Sequence, residues 1–401
     1  MQPRASFSVS SGVIHLFEWL DDHHERACVV NDYELSVVHT SSSLSPCPST
    51  VSFHAVTCCG VDVAHDTTGA LIAAGDFSGR LFLWRVPGPL PLAQAHIQNC
   101  SVRSVAFISN EPNFVLVGDT EGALFEWRVG DEPRKVAQVD ATATCIASVG
   151  QLWAVATTGG HVYVFERREG IMRLMFCFLA HERADEEAER DMRFGSLHRY
   201  AEVWSTCFAP QNDANVVQNS VESTQIGAKM GEMRLLTGSE DQTARIFRIE
   251  TAAGDALLER TLYGHTAAVT SVQWKHTAAR GHLIVTASDD CSVRVYDGQS
   301  YDVVSVLSTA AAGLGWHTIT YCVLDAEAEI EGEPLIVCGT SNGHLAVWDV
   351  AGKGVEMGAP RVFKPHVGSV EGVAIMAEKG WIATCSSDCT VHLFSTRQPR
   401  L

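Results

Sequence analysis

Seven segments of the chain share one sequence pattern. In each, an apolar strand-like run is followed by a turn of small residues and by a second run that ends on an aromatic residue. A turn residue lies six positions before the aromatic residue in all seven segments. The turn and aromatic residues pair as Ser78 and Trp84, Glu121 and Trp127, Gly159 and Phe165, Asp241 and Phe247, Asp290 and Tyr296, Asn342 and Trp348, and Asp388 and Phe394. Self-similarity of this kind predicts a repeat architecture.

The spacing of the aromatic residues indicates the size of one repeat. The intervals are 43, 38, 82, 49, 52 and 46 residues, and all but one fit a unit of roughly 40 to 45 residues with modest loop additions. The interval of 82 predicts a single repeat that carries insertions at 182–199 and 211–232. The first insertion overlaps HERADEEAERDM (181–192), which predicts a charged helix that is either a solvated excursion or a partner-docking element. The second insertion is polar.

Within each repeat, apolar and polar residues alternate before the aromatic residue, as in Val293, Arg294, Val295 and Tyr296. A period of two is typical of a half-buried antiparallel strand. A single four-stranded sheet leaves both of its faces uncovered, whereas sheets stacked around a closed ring cover one another. We therefore predict an all-β domain over 49–397, built from seven four-stranded antiparallel sheets.

The N-terminal segment, 1–48, is predicted to contribute a strand that closes the ring. The last repeat lacks its fourth strand, and 27–31, 33–40 and 49–54 are candidates to supply it. Residues 41–50 (SSSLSPCPST) have the composition of a linker. One alternative stays open, because SSGVIHLF, which ends at Phe17, is similar to the run that ends at Phe394 and is consistent with an eighth sheet.

These residues resemble the WD-repeat family, over about 50–396. The dipeptide that names the family occurs once, as Trp348-Asp349, and its Gly-His dipeptide occurs as Gly264-His265, with a similar Pro365-His366. The resemblance implies a seven-bladed β-propeller. It also implies buried hydrogen-bond networks in two repeats, formed by His265, Ser288, Asp290 and Tyr296 and by His366, Ser386 and Asp388.

The resemblance further implies where partners bind. In the family, the loops that enter the innermost strand of each blade line one rim of the central channel. Aromatic and arginine side chains dominate binding energy at interfaces. For Trp204, burial between blades is a competing interpretation, whereas Trp316 follows two glycines in a loop and fits an exposed anchor. The candidate partner-binding residues are His54, Arg103, Tyr200, Trp204, Trp316 and His317.

Composition disfavours several classes of function. The net charge of −18 opposes general binding to a nucleic-acid backbone. No apolar run is long enough to span a bilayer, and the first residues lack the apolar core of a signal peptide, so we expect no membrane partner and a location in the cytoplasm or the nucleus. The 13 cysteines are expected to be reduced and mostly buried. We predict no metal site, no cofactor and no small-molecule substrate.

The predicted function is that of a scaffold or adaptor without catalytic activity, which binds other proteins as a subunit of a complex. His265, Ser288 and Asp290 include the residue types of a hydrolytic triad, but a structural network explains them better. Two alternatives remain: recognition of a modified peptide or RNA by the propeller rim, and an accessory or hydrolytic role in a modification enzyme.

Overall fold

The fold is given by a computed structural model. It describes strand residues 5–8, 14–19, 26–31, 34–39 and 51–52, and then 58–395 except for 67–68, 77, 87–90, 98, 109–110, 129, 169, 183–199, 211–232, 278–280, 310–318, 331–332, 350–359, 377–380 and 387–389. Both predicted insertions therefore lie outside the described residues, apart from Glu182. His181 and Glu182 are not helical, because Glu182 forms an isolated antiparallel bridge with Tyr200.

The described strands of the first half of the chain form four complete sheets, numbered here in chain order. Strand β1 (Ala5–Ser8) precedes them. Sheet 1 contains β2 (Ile14–Trp19), β3 (Arg26–Asn31), β4 (Glu34–His39) and β5 (Val51–Ser52). Sheet 2 contains β6 (Cys58–Asp66), β7 (Gly69–Asp76), β8 (Arg80–Val86) and β9 (Pro91–His96). Sheet 3 contains β10 (Val102–Ile108), β11 (Glu111–Asp119), β12 (Ala123–Arg128) and β13 (Arg134–Gln138), and sheet 4 contains β14 (Ala143–Val149), β15 (Leu152–Thr157), β16 (His161–Arg168) and β17 (Ile171–Leu179).

The second half of the chain forms the other four sheets. Sheet 5 contains β18 (Val203–Phe208), β19 (Met233–Ser239), β20 (Ala244–Glu250) and β21 (Asp255–Leu262). Sheet 6 contains β22 (Val269–Thr277), β23 (Gly281–Ser288), β24 (Ser292–Asp297) and β25 (Val303–Ser308). Sheet 7 contains β26 (Ile319–Ile330), β27 (Glu333–Thr340), β28 (Leu345–Asp349) and β29 (Arg361–Phe363), and sheet 8 contains β30 (Val370–Met376), β31 (Trp381–Ser386), β32 (Thr390–Ser395) and β1.

The first strand of each sheet lies at the centre of a closed ring. Strands β2, β6, β10, β14, β18, β22, β26 and β30 each contact the next in this order, and β30 contacts β2. All strand pairs within the sheets are antiparallel. The prediction of an all-β ring of four-stranded antiparallel sheets is confirmed. No helix among the described residues is long and apolar enough to cross a membrane.

The described strands form eight four-stranded sheets and not the predicted seven. Two of the segments that we considered as ring-closing strands, 27–31 and 33–40, instead supply β3 and β4 of sheet 1, and 49–54 contains its short outer strand β5. The third strand of this sheet, ELSVVH, does not end on an aromatic residue. The terminal aromatic residue defines the repeat pattern, so the sequence indicates sheet 1 only through the alternative of an eighth sheet, which rests on the run that ends at Phe17.

Closure of the ring by an N-terminal strand is confirmed, but the strand is β1. It pairs with β32 in antiparallel register, with Phe7 opposite Val391 and Ser6 opposite His392. The two ends of the chain therefore share sheet 8. Such pairing covers the outer edge that the last repeat would otherwise expose.

The hydrophobic core lies between neighbouring sheets. One cluster joins Leu283 and Val295 of sheet 6 to Ile336 and Trp348 of sheet 7, and similar clusters join sheets 2 and 3, 3 and 4, 4 and 5, and 5 and 6. Small residues permit this packing. A Cβ atom on Gly238 would lie 2.7 Å from Val272 Cγ1 and 2.9 Å from Val269 Cγ1. Sheets 2 to 7 thus bury apolar faces against their neighbours.

A buried ion pair also crosses between sheets 3 and 4. Arg167 Nη2 lies 3.0 Å from Glu126 Oε1, and both side chains are 7% exposed. The guanidinium of Arg167 stacks over the ring of Phe114, 4.5 Å from its centroid. Arg134, which is 64% exposed, contacts the other carboxylate oxygen of Glu126 at 2.9 Å.

The turn between the second and third strands has the same backbone conformation in six sheets. The residue five positions before the repeat's aromatic residue has positive φ in each case. Glycine adopts positive φ without strain, which explains why four of the six turns have glycine at this position. The six residues are Gly79, Gly122, Gly160, Gln242, Cys291 and Gly343. In five of these turns the backbone carbonyl accepts a hydrogen bond from the connection that leads to the next sheet, as from Ile97 N to Gly79 O at 2.8 Å. These turns and connections therefore lie at one end of the ring, which we call the upper rim.

Candidate protein-interaction surface

The predicted network of sheet 6 is centred on a buried histidine of the upper rim. His265 Nδ1 lies 2.9 Å from Asp290 Oδ2, and its Nε2 lies 2.8 Å from Thr286 Oγ1. Ser288 Oγ donates to Ala267 O at 3.1 Å and accepts from Asp290 N at 3.1 Å. The structure thus brings His265, Ser288 and Asp290 together. Thr286, which the sequence analysis did not include, contacts the imidazole through its hydroxyl, and the predicted network residue Tyr296 is buried in the same sheet.

The charge of Asp290 is stabilised by its neighbours. Burial alone would raise the pKa of this carboxyl, but hydrogen bonds from His265, Ser292 and the backbone of Thr266 hold it well below its usual range. The hydroxyl of Ser292 donates to Asp290 Oδ1 at 2.6 Å. The network therefore fixes the tight turn between β23 and β24 onto the connection that enters β22.

Sheet 5 contains an equivalent network that the sequence analysis missed. His181 Nδ1 lies 2.8 Å from Asp241 Oδ2, and His181 Nε2 lies 2.8 Å from Thr237 Oγ1. Ser239 Oγ donates to Glu202 O at 2.7 Å. Burial lowers the pKa of His181 and outweighs the opposing effect of Asp241. The sequence signal that could have revealed this network is the motif Thr-x-Ser-x-Asp, which 237–241 shares with 286–290. The histidine is harder to assign, because an insertion separates His181 from the strands of sheet 5.

The network predicted for sheet 8 stays a prediction. His366 is buried in the described structure. Ser386 is the last residue of β31, and its side chain is not described. Asp388 lies outside the described residues. The spacing of Thr384, Ser386 and Asp388 repeats the motif of sheets 5 and 6.

The buried networks have the atoms of a catalytic relay without its accessibility. The hydroxyl of Thr286 contacts the imidazole of His265, which in turn contacts the carboxylate of Asp290. However, Thr286 is 0% exposed and the His265 side chain is 1% exposed, so neither can reach a substrate. Among the described residues, no group of three or more His, Cys, Asp or Glu side chains is arranged to hold a metal ion. These histidines therefore stabilise the rim.

The second residue of every innermost strand lies at a β-bulge. The register shifts there in all eight described sheets, for example between Val102 and Ser104 and between Val203 and Ser205. A bulge bends the strand and redirects the side chain of its extra residue. Two predicted binding residues, Arg103 and Trp204, occupy these positions.

The described binding candidates are accessible at the upper rim. Trp204 is 39% exposed and Tyr200 is 42% exposed, and Arg103 is partly exposed. The competing interpretation of Trp204, burial between blades, does not match this exposure. His54, Trp316 and His317 lie outside the described residues, so their role stays a prediction.

Aromatic and acidic side chains meet around Tyr200. The ring of His161 in sheet 4 lies 5.3 Å from that of Tyr200, and His161 Nδ1 lies 2.6 Å from Asp140 Oδ2. Glu182 bridges to Tyr200 through the backbone. Trp204 follows four residues later, at the bulge of β18. We call Asp140, His161, Glu182, Tyr200, Glu202 and Trp204 the Tyr200 patch.

A second surface lies on the outside of the ring. The outer strands β17, β21 and β25 of three consecutive sheets each expose two large apolar side chains, whereas β9 and β13 expose residues such as Gln94 and Lys135. Leu258 is 53% exposed and lies opposite Phe247 in the register. We call this surface the outer belt, formed by Ile171, Leu174, Leu257, Leu258, Val303 and Val306.

Comparison with known proteins identifies the repeats. The family model described as "WD domain, G-beta repeat" matches residues 257–297 and 359–395. Each match begins at the outermost strand of one sheet and ends with the third strand of the next, which is the repeat unit recognised in the sequence. The chain therefore contains WD repeats over these two segments.

Relatives of this WD-repeat protein match only part of its length. The protein transport protein SEC13 of Coccidioides immitis is 32% identical over 146 residues, which are 33% of this chain and 44% of that protein. The THO complex subunit 3 of Arabidopsis thaliana is 42% identical over 69 residues, or 17% of this chain and 21% of that protein. The matches therefore span less than half of these relatives.

Solved structures match the whole WD-repeat ring at low identity. Sqt1 of Chaetomium thermophilum, bound to the N-terminus of the ribosomal protein L10, has a TM-score of 0.72 with 14% identity over 98% of this chain and 99% of that one. The computationally designed protein Ika8 has a TM-score of 0.69 with 15% identity, over 97% of this chain and 98% of that one. At these identities the likeness shows the β-propeller fold.

Proposed function

We propose that this WD-repeat protein is a scaffold or adaptor without catalytic activity that binds other proteins as a subunit of a multiprotein complex. One observation carries the proposal: the large apolar side chains exposed among the described residues lie either on the outer belt or on the upper rim. Contiguous exposed apolar surface is typical of protein interaction sites. The buried histidine networks, in contrast, serve to hold turns together.

The comparisons support this proposal through proteins that work in assemblies. THO complex subunit 3 is a complex subunit by name, and the Sqt1 structure contains a bound segment of a ribosomal protein. A structure of the mitotic checkpoint complex also matches, with a TM-score of 0.58 at 13% identity over 99% of this chain and 95% of that one. By analogy, we propose that the protein works in the cytoplasm or the nucleus.

The test is affinity purification of the tagged full chain from native extract, followed by measurement of the mass of the eluted species. We expect partner proteins in stoichiometric amounts. A double variant of the belt, Leu174→Lys with Leu258→Lys, and a rim variant, Trp204→Ala, identify the surface that each partner uses. Lys135→Glu, on the polar outer strand β13, is the matched belt control. A chain that elutes as a monomer without partners contradicts the proposal.

A second candidate is recognition of a modified peptide or RNA by the upper rim. The exposed aromatic rings of Tyr200 and Trp204 favour such a role, because bases and peptide cations both stack on aromatic faces. The carboxylates of Asp140 and Glu182 favour the peptide over RNA, since they repel phosphate. An accessory or hydrolytic role in a modification enzyme lacks support from the buried histidine networks.

A further inference from the structure

The most specific surface on the upper rim is the Tyr200 patch at the junction of sheets 4 and 5, where the exposed ring of Tyr200 contacts His161 and His161 contacts the carboxylate of Asp140. We propose that the Tyr200 patch binds a lysine- or arginine-bearing segment of a partner protein. This inference rests on the proposed scaffold function and names the chemistry of the partner.

Tyr200 is anchored by its neighbours and still presents its ring to solvent. Its Cβ packs beside Gly160, since a Cβ atom on that glycine would lie 3.0 Å from Tyr200 Cβ. One side of the ring contacts His161, and the residue remains 42% exposed. An aromatic ring that is fixed in place loses little conformational entropy when a ligand stacks on it. Such a ring is a suitable platform for a cationic side chain.

Trp204 adds a second exposed ring at a defined position. The carbonyl of the preceding residue, Val203, accepts a hydrogen bond from Thr144 Oγ1 at 2.6 Å, so the bulge of β18 is fixed to the neighbouring innermost strand. Trp204 itself is 39% exposed. Tryptophan is the best cation-binding ring among the side chains. Different contacts therefore position the two rings. Tyr200 lies on the connection that enters β18, and Trp204 lies on β18 itself.

The charge of the rim selects a cationic ligand. The described upper rim exposes or partly exposes five basic residues, Arg80, Arg103, Arg245, Arg294 and Lys364. Two of them, Arg245 and Arg294, donate hydrogen bonds to the rim carbonyls of Ala180 and Gly264. The exposed or partly exposed carboxylates are more numerous and are those of Glu121, Asp140, Glu182, Glu202, Glu240, Asp241, Asp289 and Asp290. Burial, and to a lesser extent the adjacent carboxylate of Asp290, raise the pKa of Asp289. Since the whole chain carries a net charge of −18, a basic segment is attracted both at a distance and at the patch.

The probe is a short fluorescein-labelled peptide of alternating arginine and serine, titrated with the full chain and followed by fluorescence anisotropy. The comparison probes are the same peptide with glutamate in place of arginine, and a single-stranded RNA oligonucleotide. We expect saturable binding of the arginine peptide that weakens as salt is raised. Equal or tighter binding of the RNA or of the glutamate peptide overturns the proposal, as does a lack of binding by the arginine peptide.

Point variants locate the site. Tyr200→Ala and Trp204→Ala are each expected to weaken binding about three- to ten-fold, which corresponds to the loss of one cation–π contact. Tyr200→Phe keeps the aromatic face and is expected to stay within about two-fold. The matched control is Tyr263→Ala, which removes another tyrosine of the same rim that is 72% exposed. If Tyr263→Ala weakens binding as much as Tyr200→Ala does, the assignment to the patch is overturned.

A charge-matched pair separates local recognition from attraction to an acidic protein. Glu182→Lys and Glu132→Lys change the net charge equally, but Glu132 lies in the exposed turn between β12 and β13, at the opposite end of sheet 3. Only Glu182→Lys is expected to weaken binding, by more than about five-fold. Equal effects of the two variants contradict the proposal. Circular dichroism and thermal unfolding check that each variant is folded.

The same variants distinguish this inference from the proposed function. If partner proteins co-purify equally with the wild type and with the Tyr200→Ala, Trp204→Ala double variant, the protein is a scaffold but its partners do not use the patch, and the inference fails alone. If nothing co-purifies with the wild type, the proposed function itself fails.

Discussion

The network of His181 in sheet 5 leads to a quantitative prediction about Thr237. Replacing Thr237 by valine preserves the volume of the side chain but removes the oxygen that lies 2.8 Å from His181 Nε2. Both residues are 0% exposed, so water cannot replace the lost partner. Leaving a buried polar group without a partner costs about 1–3 kcal/mol. We expect the free energy of unfolding to fall by about 2 kcal/mol, and Thr286→Val to act similarly in sheet 6, where the geometry is the same.

Urea unfolding, followed by tryptophan fluorescence and circular dichroism, measures this effect. With an m-value of about 3 kcal/mol/M or more, the unfolding midpoint should fall by roughly 0.5 M. The matched control is Thr261→Val, on the outer strand β21 of the same sheet, where the side chain is only partly buried. A midpoint for Thr237→Val that equals that of Thr261→Val would refute the assignment of a structural network to His181.

Three further predictions follow from the other buried groups. Arg167→Met leaves the buried Glu126 with only a mostly exposed partner and should cost about 3 kcal/mol of unfolding free energy, whereas Arg134→Met should cost under about 1 kcal/mol; equal shifts of the urea midpoint would contradict this. Because burial lowers the pKa of His181, the unfolded chain binds a proton there that the folded chain does not, so stability should fall as the pH drops below about 6.5. Urea midpoints against pH test this, and a profile that His181→Gln leaves unchanged would exclude His181 as the cause. Desolvation raises the pKa of the Cys207 thiol to about 12, so iodoacetamide should label the exposed Cys177 at least about 100-fold faster, as measured by mass spectrometry; equal rates would contradict the raised pKa of Cys207.

The sequence predicted most of the architecture because two local signals recur in it. The alternation before each aromatic residue marks the strands, and the turn six residues earlier marks the reversal. These signals located sheets 2 to 8. Sheet 1 was not predicted as a complete sheet because its third strand ends in Val-Val-His and lacks the terminal aromatic residue. A strand pattern without that residue does not distinguish a four-stranded sheet from a single strand that closes the ring.

The networks were predictable only where the chain is uninterrupted. His265 precedes its innermost strand by four residues, whereas His181 is separated from β18 by the insertion at 182–199. Spatial proximity of His181 to Asp241 is created by the fold and is not visible in the spacing. Thr286 was not predicted because the resemblance implied only His265, Ser288, Asp290 and Tyr296 as network members, whereas the hydroxyl of Thr286 contacts the imidazole directly.

The surfaces were the least predictable part of the molecule. Periodicity predicts which side of a strand is buried, but the outermost strand of a sheet has no partner beyond it, so the exposure of Leu174 and Leu258 depends on the position of their strands in the ring. The side chain of Trp204 is redirected by a bulge, which depends on pairing between strands. The sequence alone therefore does not predict the exposure of Trp204.

Hydrogen exchange of the full chain, resolved on peptides that cover β1 and β3, tests the closed ring of eight sheets most directly. Strand β3 pairs with β2 on one side and with β4 on the other, and β1 pairs with β32. The structure predicts slow exchange for the paired amides of β3, similar to that of the central strand β7, and measurable protection in β1. Exchange of both segments at the rate of an unstructured peptide would contradict an eighth sheet and the closure of the ring by the N-terminus.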